Sequence, residues 1–340
     1  MTIETDVLLI GAGPIGIELA IALKQRGIRY VHLEAGQVAS TISWYAPQTH
    51  FFSSPERIAI AGVPLQTLDQ SKATREEYLT YLRAVVLQFD LAIETFERVV
   101  SLRKGADGGF EATSVRAAGE RRWRARSVVL AIGDMHRPRR IGVPGEDLPH
   151  VSHYFGDPHQ YFKRRVLIVG GQNSAVEAAI RCYRVGAEVT ISYRGHDLDP
   201  NRIKFWLLPE IRSLIRDGRV RWLPSTVVCE IRGDAAVLEP GGEVSADAVL
   251  LLTGYEQDSD LFEQAGVTLE GNAKRPRFDE QTMETDVPGL FVAGTGSAGT
   301  QFGGVKEFIE TSHAQVARIV AALTGTAPPW EAPSYELPES

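Results

Sequence analysis

Asp6-Val-Leu-Leu-Ile10 runs straight into Gly11-Ala12-Gly13-Pro14-Ile15-Gly16-Ile17-Glu18, and this junction decides the fold. Its apolar residues form a short continuous run, the pattern of a strand buried on both faces. A helical pattern follows from about Pro14 to Arg26 and stops at Gly27. Arg29-Tyr-Val-His-Leu-Glu34 reads as the next strand. The stretch is a βαβ unit with G-x-G-x-x-G at its first turn and an acid closing its second strand. Gly11 allows the tight turn, Gly13 lets the backbone approach a pyrophosphate, and Gly16 lets the helix pack on the strand. The helix N-terminus offers free N–H groups and a positive dipole end to the phosphates. Glu34, 18 residues beyond Gly16, is placed to accept from a ribose diol. The competing plain reading is a glycine-rich structural turn. The flanking strand, helix and acid make it the poorer fit.

The pattern returns about 160 residues later, in Arg165-Val-Leu-Ile-Val-Gly170-Gly171-Gln172-Asn173-Ser174-Ala175. A helix is expected to about Val185, then a strand over Glu188–Arg194. Gln172 stands at the second motif glycine, and this strand ends in Arg194 rather than an acid. An arginine pairs with a 2′-phosphate, so NADP is favoured over NAD, and Lys204 adds a second cation. The plain alternative for Arg194 is a solvated surface arginine. Two units with opposite end-of-strand chemistry imply two nucleotides: FAD at the acidic one and NADPH at the basic one.

Other strand-to-glycine junctions set the domain plan. Ser127–Gly133 closes one segment, Asp247–Gly254 a second, and Gly289–Gly294 precedes a closing helix from about Val305 to Leu323. Asp134–Pro149 reads as a linker, with a second crossing near Tyr255–Asp260. The expected fold class is α/β, with two three-layer Rossmann-type domains. Residues 1–140 and 258–340 form a discontinuous FAD domain, and 141–257 an inserted NADPH domain. Thr74–Phe89 reads as a helix and Phe110–Arg126 as paired strands. The tail Thr324–Ser340, with Trp330 and Tyr335, is expected to be non-helical.

Composition sets the outer bounds. The chain of 340 residues is 44% hydrophobic and 23% charged, which fits a globular protein and no disordered or fibrous class. No apolar run reaches the ~20 residues of a membrane helix, and the first residues lack a signal peptide's basic region. A net charge of −7 argues against a nucleic-acid surface. Two cysteines, Cys182 and Cys229, exclude a disulfide scaffold or a cysteine zinc site, and they fit a reducing cytoplasm. No metal is expected. Cys182 is expected mid-helix, and Cys229 on a buried strand face with Val227 and Ile231. Both are read as inert.

Over its whole length the chain resembles the low-molecular-weight thioredoxin-reductase-like flavoproteins, and within them the bacillithiol-disulfide-reductase-like branch. The resemblance is carried by Gln48-Thr-His-Phe-Phe-Ser-Ser54, Leu148-Pro-His-Val-Ser-His-Tyr-Phe155, Gly170-Gly-Gln-Asn-Ser-Ala175, Tyr193-Arg-Gly195 with Ile203-Lys204, and Phe308-Ile-Glu310. It implies FAD and NADPH, hydride transfer from nicotinamide to flavin, and a homodimer. The cofactor-binding residues read from motif and resemblance together are Gly11, Gly13, Pro14, Gly16, Glu34, His50, Phe51, Ser53, Gly133, Gly294, Thr295, Phe308 and Ile309 for FAD. For NADPH they are Gly170, Gly171, Gln172, Asn173, Ser174, Tyr193, Arg194, Lys204 and Gly254.

The chain also departs from that family. The thioredoxin-reductase C-x-x-C is missing from His153–Tyr161, and the branch's single motif cysteine is replaced by Ile15. The closing flavin motif ends in Gly294-Thr295 where the family has Gly-Asp. A thiolate is the nucleophile of disulfide exchange, so that route is in doubt. The acceptor classes left open are a low-molecular-weight disulfide, a ferredoxin or flavodoxin, and oxygen in a flavin monooxygenase. A non-catalytic redox sensor is the non-enzyme alternative. For a ferredoxin, Arg137, Arg139 and Arg140 are a candidate basic patch, with Trp330 or Tyr335 as an aromatic cover. The catalytic residue is left unknown, with His50 as the candidate proton carrier against a packed or surface histidine. His313 has the same competing reading, and Glu177 and Glu310 are read as solvated or capping acids.

Overall fold

Thr2–Ile10 forms β1 in the computed structural model, which describes residues 2–302 and 307–326. Leu8 and Leu9 are fully buried, as a strand covered on both faces requires. Helix α1 (Pro14–Gln25) follows, then β2 (Tyr30–Leu33). The helix buries an unbroken run from Ile15 to Leu23. Helix α2 (Arg75–Gln88) starts at Thr74, whose side chain accepts from the Glu77 N–H while Glu77 bonds back to the Thr74 N–H. That reciprocal cap is why the helix begins there.

Strands β3 (Arg98–Lys104), β4 (Phe110–Arg116) and β5 (Gly119–Leu130) complete the first run. The long β5 changes character along its length. Its first half pairs antiparallel with β4 and alternates between buried and exposed residues. Its last three residues are all buried and lie between parallel strands.

The second unit opens on β6 (Arg165–Val169), α3 (Asn173–Arg184) and β7 (Glu188–Tyr193). Helix α4 (Leu207–Arg216) and β8 (Val220–Pro224) follow, then a meander of β9 (Val227–Ile231), β10 (Ala235–Glu239) and β11 (Gly242–Ser245), and β12 (Ala248–Leu251). The parallel sheet runs β8-β7-β6-β12, with Val151–Ser152 beyond β12. The chain then returns to the first unit with β13 (Leu290–Val292) and α5 (Ile309–Thr324).

Contacts divide the chain into two compact units. One is Met1–Ser43, Gln48–Arg137 and Glu256–Ser340; the other is Trp44–Pro47 and Pro138–Tyr255. The excursion Trp44–Pro47 groups with the second unit because Trp44 packs edge-on against Tyr154 at 5.5 Å and the Arg181 guanidinium donates to the Pro47 carbonyl. Asp134–Pro149, read as a plain linker, is more structured than that. Buried Glu146 accepts from the Ile141 and Gly142 N–H groups at 3.0 and 2.8 Å.

In the first unit the sheet order is β2-β1-β5, with both β4 and β13 against β5. Register places Ile10 opposite Leu33 and Leu130, and Leu130 opposite Val292. The carboxyl ends of β2, β1, β5 and β13 therefore stand in one row. That edge is where ligands bind in open α/β sheets.

Two burial expectations are corrected. Cys229 and Val227 are exposed, not buried. The ladder of β9 with β10 shifts register between Val228 and Glu230, so Val228 and Ile231 take the inner face instead. Closing helix α5 begins at Ile309; Val305, the start read from sequence, lies outside the described residues, as do Trp330 and Tyr335.

Candidate cofactor sites

The first turn is built by contact. A Cβ on Gly11 would stand 2.3 Å from the Ala131 carbonyl oxygen, and one on Gly16 would stand 2.0 Å from that of Gly11. Gly11 also has a φ of +104°. Both positions need glycine for packing. Gly13 differs: a Cβ there meets nothing within 4 Å, so its face is open. Gly13 is also the N-cap of α1, no side chain caps the helix, and Pro14 is its first residue. The N–H groups of that first turn are available to an outside acceptor. At the end of β2, the Glu34 carboxylate is held by the Ala12 and Gly36 N–H groups, both at 2.7 Å, and by Ser40 Oγ at 3.2 Å. An open glycine face, an uncapped helix start and a fixed acid fit the pyrophosphate and ribose of FAD.

Two more turns reach the same edge, Ala131–His136 after β5 and Gly294–Ala298 after β13. A Cβ on Gly133 would meet Thr295 Oγ1 at 3.7 Å, and one on Gly294 would meet Ile15 at 3.6 Å. The Gly294 N–H donates to Gln315 Oε1 at 2.7 Å. Asp134 accepts from Gln301 Nε2 at 3.0 Å and from the Thr295 side chain, and burial pushes its carboxyl up. Gln257, 6% exposed, donates through Nε2 to the carbonyls of Gly296 (2.8 Å) and Gly133 (3.4 Å). Asp134, Gln257, Gln301 and Gln315 were missed in the sequence, because single polar residues far apart in the chain carry no spacing signal.

Three further candidates lie in the loop after Pro47. His50 is exposed and bridged to Thr74. Phe51 packs edge-on against Tyr78 at 4.6 Å, and Ser53 is buried. Among the described residues no hydrogen bond joins His50 to the glycine turns. Phe308 is the N-cap of α5, with Ile309 its first residue; both are half-buried.

The solvated or capping reading of Glu310 is overturned. Glu310 is 1% exposed and pairs with Arg57 at 3.3 Å. Beside it His313, fully buried, sets Nδ1 2.7 Å from Glu18 Oε2 and Nε2 2.9 Å from the Arg57 carbonyl oxygen. Both partners are acceptors, so both ring nitrogens donate and the imidazole is charged. Burial pushes its pKa down, but the Glu18 hydrogen bond and charge outweigh burial and raise it. Glu177 is half-buried and pairs with Arg181 one turn on at 3.3 Å.

The second turn follows the same plan with other parts. A Cβ on Gly171 would stand 2.5 Å from the Tyr193 ring, and so would one on Gly195. The ring therefore fills the space that two missing side chains leave. Gly170 carries a φ of +145° against the Leu252 carbonyl. Gln172 caps α3 by position only, with no side-chain bond, and Gln172 and Ser174 are exposed. Asn173 Oδ1 accepts from the Lys204 N–H at 2.8 Å, which ties the Lys204 loop to the helix start. Arg194 is exposed, with no carboxylate partner among the described residues. Gly254 has a φ of +97° and lies beside the Arg139 guanidinium. A free helix start with an unopposed arginine fits a phosphorylated nicotinamide coenzyme.

The family model for pyridine nucleotide-disulphide oxidoreductases matches residues 8–294, taking in both turns. The chain belongs to this family. It is an FAD- and NADP(H)-dependent flavoprotein reductase. Bacilliredoxin reductase Bdr of Bacillus subtilis is 36% identical over 325 residues, covering 94% of this chain and 98% of that one. The solved bacillithiol disulfide reductase of Bacillus cereus superposes with a TM-score of 0.90 at 33% identity, over 95% of this chain and 99% of that one. A ferredoxin–NADP reductase of Ignicoccus hospitalis is 29% identical over 85% of this chain and 89% of that one. Flavin-containing monooxygenase from Stenotrophomonas maltophilia, at 20% identity and TM-score 0.72, shares the fold.

The thiol inventory is short. Cys182 is buried in α3, and burial pushes its thiol up to about 12. Cys229 is exposed on β9. Ile15, in the first glycine turn, is 5% exposed and lies against the Gly294 turn. Two of the three arginines read as a basic patch are paired with carboxylates. Arg137 pairs with Asp258 at 3.3 Å and Arg140 with Asp147 at 2.7 Å.

Proposed function

We propose that the first unit binds FAD and the second NADPH, and that electrons pass from NADPH through the flavin to a small-molecule disulfide or similar low-molecular-weight oxidant. The observation that carries this is the contrast at the two strand ends: Glu34 buried and fixed by three donors, Arg194 exposed and unopposed among the described residues. When bound, FAD takes up hydride from the nicotinamide and holds its electrons for the acceptor.

The chain's own residues then bind and orient. Gly13 and the start of α1 receive the pyrophosphate, while Gly11 and Gly16 hold the turn's shape. Glu34 accepts from the adenosine ribose. Gly133, Gly294, Thr295, Phe308 and Ile309 line the flavin half, with His50, Phe51 and Ser53 in the loop beyond. Gly170, Gly171, Gln172, Asn173, Ser174 and Gly254 receive the NADPH phosphates, and Arg194 with Lys204 takes the 2′-phosphate beside Tyr193. Because Ile15 offers no thiolate, the acceptor is reduced without a mixed disulfide at that position.

A ferredoxin acceptor is the second reading. It is favoured by that missing thiol, since one-electron transfer to a protein carrier needs no cysteine. A homodimer in a reducing cytoplasm belongs to the same proposal; two unpaired thiols, one of them exposed, suit that compartment. The test is an anaerobic titration of the holoprotein with NADPH and with NADH. Bleaching of the flavin band by NADPH in preference to NADH is expected, followed by reoxidation with disulfides, quinones or ferredoxin. A holoprotein whose flavin neither coenzyme bleaches refutes the reading.

A further inference from the structure

Leu33, Ile10, Leu130 and Val292 mark four strand ends in the order β2, β1, β5, β13. Neighbouring strands stand about 4.8 Å apart. Along this row an acid suited to a ribose diol comes first, at β2. An uncapped helix start suited to a pyrophosphate comes next, at β1. Beyond the pyrophosphate, away from adenosine, FAD continues as the ribityl chain with its hydroxyls. One strand step further, at β5 and β13, stand Asp134, Thr295, Gln301 and Gln257.

Two independent features mark this group as a receiver of donors. The Asp134 carboxyl takes hydrogen bonds from Gln301 and Thr295, and a carboxylate has about four acceptor positions, so capacity is left over. Gln257 is more than nine-tenths buried, and its Nε2 is spent on two carbonyls, which fixes the orientation of its amide. That leaves Gln257 Oε1 buried with no hydrogen-bond donor among the described residues. Buried acceptors in native proteins are almost always satisfied, so a donor is owed here. Both unfinished groups are acceptors, and the ligand segment due at this step offers O–H donors.

We propose that Asp134, with Gln257 beside it, binds the ribityl hydroxyls of FAD. This rests on the reading of the first unit as the FAD site. The burial that raises the Asp134 carboxyl adds a consequence. Flavin affinity should fall as pH drops through that raised carboxyl range, because the protonated acid loses acceptor capacity.

The experiment dilutes FAD-loaded wild type, Asp134→Asn, Asp134→Ala and the double variant Asp134→Asn/Thr295→Asp, and reads released FAD by its fluorescence. Melting of each at saturating FAD is followed by circular dichroism. A hydrogen bond to a charged group predicts about 10- to 100-fold weaker FAD binding in both single variants. The double variant should recover to within about threefold of wild type, and the acid limb of the wild-type pH profile should vanish in Asp134→Asn. Wild-type affinity in both single variants overturns the proposal. So does a loss of FAD that follows only a fall in melting temperature and is not recovered by Thr295→Asp. A wild type that takes up no FAD at all would instead fail the reading of the unit.

Discussion

His313→Leu removes one half of a buried charge pair and leaves the other half behind. Glu18, 1% exposed, would keep the Ala61 N–H at 3.0 Å as a partner but lose the imidazolium at 2.7 Å. Breaking a buried pair by deleting one partner costs about 3–5 kcal/mol. A unit in this size range loses ~2–4 °C of melting temperature per kcal/mol, so the expected fall is about 6–20 °C. The pH dependence has a definite sign. The folded pKa of His313 is raised above the ordinary histidine value of 6.5, so its stabilisation is full below that value and is lost as pH rises through the folded pKa. Calorimetry of the FAD-loaded protein at pH 6, 7, 8 and 9 reads it. The gap between wild type and variant should be widest at pH 6 and shrink upward. A gap under about 2 °C at pH 6, or one that widens with pH, refutes the imidazolium assignment.

Three other outcomes are expected. Arg194→Ala should raise KM for NADPH about 10- to 100-fold with little change for NADH, since only the former carries the 2′-phosphate; equal effects on both, read in steady-state assays, would remove that role. Gly13→Val should lose FAD while keeping native circular dichroism, because the added side chain enters open space, whereas Gly16→Val meets a backbone oxygen 2.0 Å away and should lower expression of folded protein. Ile15→Cys should gain turnover with low-molecular-weight disulfides over wild type in an NADPH-consumption assay; equal rates would show that a thiol at the β1 turn is not the missing element.

Both glycine turns were legible because they are local. Strand, turn, helix and end-of-strand residue sit within about 30 residues and obey periodicity. Glycines after apolar runs such as Ser127–Leu130 mark strand ends in the same way. The misreadings share a cause: contacts or kinks that spacing does not encode. Glu310 looks like a first-turn acid, and only the approach of Arg57 across 253 positions makes it a buried partner. Cys229 alternates correctly with Ile231 until a one-residue bulge turns it outward. Asp134 sat inside a stretch taken for a linker, and its partners Thr295 and Gln301 are more than 160 positions away.

The outward turn of Cys229 has a practical use. The chain has two thiols, and the other is sealed in α3 with its pKa pushed up to about 12. A maleimide dye at neutral pH should therefore attach at a single place, on the second unit. Flavin is itself a fluorophore, and the proposed function assigns it to the first. Energy transfer between dye and flavin would then report cofactor uptake as an optical signal without altering a single residue.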